Sequence, residues 1–156
     1  MVIQKLRKED VLTDLIELSR LFFAEYAAFH MEFFNINVLR DEDIISYFRG
    51  SVETDNGATF IATEGSTIVG YITVFLRNQE SFWMIKRIGV ISGLMVHEDY
   101  RRCGIAGLLL AEAKAFFNQR EVKYFTVYTA TANEAAIALY KRCEMTPLYT
   151  TLIGEI

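Results

Sequence analysis

Cysteine is scarce in this chain. Cys103 and Cys143 stand alone, without a C-x-x-C pair or histidine spacing, so neither a zinc site nor a disulfide framework is indicated. Long apolar runs are absent too. Ile68–Leu76 and Ile88–Val96 fall well short of the ~20 residues a membrane span needs, and Met1–Arg7 offers no secretory apolar core. Positive charge is not in excess: 16 basic against 20 acidic residues leave a net charge of −4. That balance argues against a general nucleic-acid binder, although a local basic loop can still grip phosphates. At 52% hydrophobic residues the chain is too apolar to be disordered. These exclusions leave a soluble, cytoplasmic, metal-free protein, expected to form one domain over residues 1–156.

What is present centres on Val90 to Phe117. An apolar run ending at Val96 predicts a buried strand. It turns through His97–Tyr100 into Arg101, Arg102, Cys103, Gly104, Ile105, Ala106 and Gly107. From Ile105 the period becomes helical, with Ile105, Leu109, Ala113, Phe116 and Phe117 on one stripe. A strand that feeds a Gly-rich turn opening a helix presents unpaired N–H groups at the positive end of the helix dipole, which suits a phosphate. The segment is neither G-x-x-x-x-G-K-[ST] nor G-x-G-x-x-G. It does contain R-x-x-G-x-A, from Arg101 to Ala106.

Along the chain, Met1–Arg7 predicts a first strand. Val11, Leu15, Leu18, Phe22, Tyr26, Phe29 and Phe33 then recur at helical spacing. A shorter helix follows, with Asp41 as the expected N-cap and Gly50 as the expected C′ residue. Phe60–Thr63 and Thr67–Leu76 predict a hairpin through Glu64-Gly65-Ser66. Gly93, inside the central strand, suggests a bulge or a close backbone approach. A strand is expected over Val122–Tyr128 and a helix over Ala132–Tyr140, with Asn133 and Tyr140 two turns apart on one face.

The R-x-x-G-x-A loop, the N-x-x-A-x-x-L-Y segment and the order of elements between them resemble the GNAT superfamily of N-acetyltransferases across essentially the whole chain. The resemblance implies an α/β fold: a mixed, mostly antiparallel central sheet with a splayed central strand and helices on both faces. It implies acetyl-CoA as co-substrate. The backbone of Leu94, Met95 and Val96 would bind pantetheine, and Arg101, Arg102, Cys103, Gly104, Ile105, Ala106 and Gly107 would form the pyrophosphate loop. Asn133 would hydrogen-bond near the pantetheine, and Tyr140 would sit at the thioester sulfur as general acid. The acceptor would be a primary amine, on a small molecule or a peptide.

Three departures from the family pattern matter. Arg87–Val96 holds no carboxylate, only Ser92, so the base could be His30, Glu32, His97, Glu98 or water. Glu144-Met145 stands where relatives commonly have Gly-Phe, and a glutamate does not cheaply adopt a left-handed C′ conformation. Only Thr146–Ile156 remains for a final strand. That strand would be an almost unprotected apolar edge, so a homodimer through it is expected. Two other readings are open. One is a non-catalytic acyl-CoA-binding or sensing module, and the other is a cysteine-nucleophile acyltransferase using Cys103.

Overall fold

A computed structural model describes all residues, Met1–Ile156. Its strands are β1 (Val2–Lys5), β2 (Gly57–Glu64), β3 (Thr67–Asn78), β4 (Arg87–Val96) and β5 (Phe125–Val127). Its helices are α1 (Thr13–Ala27), α2 (Asp41–Val52), α3 (Ile105–Gln119) and α4 (Glu134–Arg142). The sheet order is β1-β2-β3-β4-β5, antiparallel from β1 to β4 and parallel between β4 and β5. The expected α/β architecture is therefore the one observed.

Each face of the sheet carries its own core. On one face, α3 buries Ile105, Leu109, Leu110, Ala113, Phe116 and Phe117 against Phe60, Val69, Ile72 and Ile91. On the other, Leu15 and Leu18 of α1 and Ile44 and Phe48 of α2 pack on Ile61, Tyr71 and Met95. Each such side chain contributes about 1.5–3 kcal/mol by leaving water, so both layers are firmly attached. Beneath α2 a buried hydroxyl chain, Thr73–Thr59–Ser51, runs at 2.8 and 2.7 Å and ends on the Phe48 carbonyl. Every member has a partner, which makes burial of these polar groups tolerable.

Several boundaries differ from the sequence expectation. α1 stops at Ala27, and Phe33, at the end of the helical stripe, is exposed in the turns that follow. Arg40, not Asp41, is the N-cap of α2: its N–H donates to the Asp43 carboxylate at 3.1 Å, and Gly50 lies inside the helix. β5 covers only Phe125–Val127 of the predicted Val122–Tyr128. Glu144 does take the left-handed conformation, at φ 66°. Met145 N–H returns to the Tyr140 carbonyl and Glu144 N–H to that of Lys141, a Schellman ending for α4.

The predicted final strand is absent, for Thr146–Ile156 has no regular structure. A strand exists only through ladder pairing, and the outer edge of three-residue β5 bonds to no other strand of the chain. Leu148, Leu152 and Ile153 are consequently exposed.

Candidate active site

The site grows out of how β4 is paired. β4 bonds β3 along its whole length, whereas β5 accompanies it only from Gly89 to Ile91. From Ser92 to Val96 the other edge of β4 is free. His97 N–H donates to the Val69 carbonyl. By antiparallel alternation, Met95 then spends its amide groups on β3, and those of Leu94 and Val96 face the opening. Of the three residues expected to bind pantetheine, Leu94 and Val96 thus offer free-edge groups and Met95 does not. The Val96 carbonyl is already taken by Arg101 Nε at 2.9 Å.

Where the pairing with β5 stops, β4 bulges. Thr73 pairs with Gly93 and Val74 with Ile91, so Ser92 is the extra residue. Ile91 and Leu94 pack on the α3 side, and Met95 belongs to the α1–α2 side. Ser92 and Gly93 both meet side chains of that second layer. Ser92 Oγ lies 2.5 Å from the Tyr47 hydroxyl of α2, and a Cβ added to Gly93 would stand 3.4 Å from Tyr71 and 3.5 Å from that same hydroxyl.

Beyond Val96 a 3-10 turn, Glu98–Tyr100, leads into the loop. Arg102 has φ 64° and Gly104 φ 80°, two left-handed residues two apart. Gly104 is the N-cap of α3 and supplies no capping side chain. The first intrachain donor after Arg101 is Leu108, so the backbone N–H groups from Arg102 to Gly107 have no partner within the chain. A Cβ built at Gly104 or Gly107 meets nothing within 4 Å, so the space over these amides is open. Orphan donors, a helix N-terminus and an open approach together fit a pyrophosphate.

The two arginines divide. Arg101 does not face this space. Its guanidinium holds Glu25 of α1 at 2.5 Å along with the Val96 carbonyl, and its N–H bonds Glu98. Arg102 is exposed, without an ion-pair partner. Cys103 is exposed as a free thiol against the Arg101 carbonyl. Next to Gly107, a cleft of about 280 Å³ runs between α3 and the end of α4, lined in part by Lys114 and Arg142.

α4 carries Tyr140. Tyr140 packs against the α3-side core, yet its hydroxyl feels Tyr26, which belongs to α1 on the opposite face. Burial chiefly, then the neighbouring Tyr26 and Cys143, push its phenol well above the ordinary range. Tyr26 itself accepts the Ala130 N–H at 3.1 Å, tying α1 to the chain beyond β5. Asn133 proves to be the N-cap of α4: its Oδ1 accepts Ala136 N–H at 3.2 Å. The N-x-x-A spacing therefore also serves as a cap, and the amide nitrogen of Asn133 stays available for the contact expected near pantetheine.

None of the candidate bases is a lone, aimed carboxylate. His30 Nδ1 accepts Phe33 N–H in the turns after α1, and His97 Nδ1 accepts Asp99 N–H before the loop. Glu32 and Glu98 are exposed. Two tyrosines met here were not singled out from sequence: Tyr47, on the border of the α2 stripe, and Tyr26, within that of α1. The isolated Ser92 in an apolar strand was the visible signal for the first.

Comparison with known proteins gives the family and the fold. The sequence model of the Acetyltransferase (GNAT) family matches residues 15–145. No curated protein sequence matches the chain. Among solved structures, the tetramutant BH1408 protein from Bacillus halodurans superposes with a TM-score of 0.86 at 19% identity, covering 100% of both chains. The apo aminoglycoside 6'-N-acetyltransferase AAC(6')-IG from Acinetobacter haemolyticus gives 0.76 at 14% identity, covering 100% of this chain and 98% of its own. AAC(6')-Iy, in complex with the bisubstrate analog CoA-S-monomethyl-acetylneamine, gives 0.76 at 13% identity, covering 99% and 97%.

Proposed function

Because the chain belongs to the GNAT acetyltransferase family, we propose that it moves an acetyl group from acetyl-CoA directly to a primary amine bound beside it. The observation that carries this reading is the pairing of two unfilled hydrogen-bonding surfaces. One is the row of orphan N–H groups from Arg102 to Gly107, and the other is the free edge of β4 at Leu94 and Val96. A pyrophosphate suits the first, and an amide-bearing pantetheine arm suits the second, adding to the edge as a strand would. An amine-linked CoA analogue bound to a protein of the same fold supports the amine as acceptor.

In the proposed reaction the neutral amine attacks the thioester carbonyl carbon. The N–C bond forms, with the oxyanion facing a β4 amide, and the C–S bond then breaks. The sulfur leaves as a thiolate, and the proton released from nitrogen reaches it through water. Tyr140 serves as a positioned donor to the developing thiolate. A phenol held above its usual ~10 against a thiol near ~8.5 makes full proton transfer uphill by more than about 2 kcal/mol. Deprotonation of the incoming ammonium falls to water, since the four candidate side chains are exposed or already bonded to backbone N–H groups.

The reading includes a cytoplasmic setting, suited to the exposed free thiol of Cys103, and pairing of two copies. Exposed Leu148, Leu152 and Ile153, together with the open edge of β5, favour such pairing. Light scattering at micromolar concentration that finds a monomer, unchanged by deletion of residues 152–156, removes it. The functional test is release of CoA thiol from acetyl-CoA against neamine, spermidine and a lysine peptide. Amine-dependent release with an acetylated product is the expected result. Tight CoA binding with no turnover of any amine would instead favour an acyl-CoA-binding module.

A further inference from the structure

We propose that Tyr47, held by Ser92, is the group that receives and orients the acceptor amine, in place of a carboxylate on β4. This assignment rests on the N-acetyltransfer reading above and adds the acceptor side to it. Three observations lead to it. Ser92 is the extra residue of the bulge, exposed, at the point where β5 leaves β4. The Tyr47 hydroxyl lies 2.5 Å from Ser92 Oγ and stands over Gly93, one residue from the outward amide groups of Leu94. Tyr47 is 37% exposed over the whole residue, so it borders solvent although its hydroxyl is largely desolvated.

The hydrogen-bond directions decide what the pair can do. Ser92 Oγ donates its single proton to the Thr73 carbonyl at 3.3 Å. Either oxygen of the 2.5 Å pair can be the donor, and the arrangement that serves both contacts has Ser92 accepting from Tyr47. In that arrangement the Tyr47 proton is spent, and its oxygen can still accept from a further donor. An amine N–H is the natural donor to that oxygen, which would aim the nitrogen lone pair away from Tyr47, toward the thioester. The pair does not act as a base. Burial raises the Tyr47 phenol, and the Ser92 and Thr73 hydroxyls only moderate the rise. Gly93 fits this arrangement, because any larger side chain would fill the space under the hydroxyl. The ring of Tyr47 is held independently, edge-on to Phe48 and Phe75 at 5.1 and 6.3 Å, so its position survives loss of the hydroxyl.

Steady-state kinetics with the fastest amine among neamine, spermidine and the lysine peptide tests the pair, alongside calorimetric binding of CoA. Tyr47→Phe should lower kcat/KM for the amine about five- to tenfold, the worth of one hydrogen bond, with the CoA Kd unchanged. The pH at which the rate rises should stay where the amine itself titrates, as in the wild type. Ser92→Ala should show a smaller loss of the same kind, and Ser92→Thr should restore it. Wild-type amine kinetics in Tyr47→Phe would overturn the assignment and leave N-acetyltransfer standing. A shift of the pH profile in Tyr47→Phe would overturn it in favour of a base. Equal losses in Ser92→Ala and Ser92→Thr would reduce Ser92 to a packing residue and overturn the relay. No turnover of any amine by the wild type would instead remove the N-acetyltransfer reading and this assignment with it.

Discussion

The two faces of the sheet solve different problems. On the α3 side, the candidate cofactor site is made of backbone: orphan amides from Arg102 to Gly107 and the free edge of β4. On the α1–α2 side, the candidate acceptor site is made of side chains: Tyr47 and Ser92. Backbone recognition constrains the chain at glycine and at helix starts, and so leaves a motif. Side-chain recognition is assembled from residues far apart in sequence, here Tyr47 and Ser92, and leaves none.

The strongest way to break this division is Gly104→Val. At φ 80° a β-branched residue is strained, and its side chain would project into the open space over the amides. CoA affinity should fall by about a hundredfold or more, equivalent to the loss of at least two charge-assisted hydrogen bonds, while the thermal transition stays cooperative. Calorimetry alongside a melt measures both. Tyr140→Phe comes next. It should lower kcat about a hundredfold with the CoA Kd unchanged, since the donor acts mainly in the transition state.

The arginines sharpen the comparison, because they are neighbours with different work. Arg102→Ala should weaken CoA by roughly tenfold or somewhat more, within the range of one charge-assisted contact. Arg101→Ala should leave CoA binding nearly intact. It should instead lower Tm by about 2–4 °C, as for a loss near 1 kcal/mol in a protein of this size, because Arg101 ties Glu25 to the Val96 carbonyl. The ion pair is half-exposed, which keeps that figure small.

The pH dependence follows from Tyr140. Its folded pKa is raised, so it stays protonated as pH climbs through the usual phenol value near ~10. The rate should therefore rise with pH as the amine loses its proton, with no descending limb below about pH 10 from this group. A pH–kcat/KM profile shows it. The smallest effect lies outside the site. Glu144→Gly relieves a left-handed glutamate and should stabilise the fold by about 1 kcal/mol, measured by urea denaturation.

Much of the fold was legible because its elements carry their own periods. The β4–loop–α3 stretch switches from an apolar run to a helical stripe at Ile105, and the structure starts α3 there. The rest depends on pairing that no local period reveals. Thr146–Ile156 has strand composition but no strand beside it to pair with. Arg101 sits in the loop motif, yet its charge is claimed by Glu25, seventy-six residues earlier. Asn133 carries a motif spacing that also suits a cap, and capping took its oxygen. Tyr47 was invisible because a single tyrosine at the border of a helical stripe carries no spacing signal.

The central claim is that backbone amides on one side of the sheet hold coenzyme A. The most direct measurement is a titration of CoA into the 15N-labelled protein, followed by backbone amide shifts. The account predicts the largest changes at the amides of Arg102 to Gly107 and at Leu94 and Val96, with small changes at Met95 and along α1 and α2. Saturable CoA binding that leaves the Arg102–Gly107 amides unmoved would contradict it.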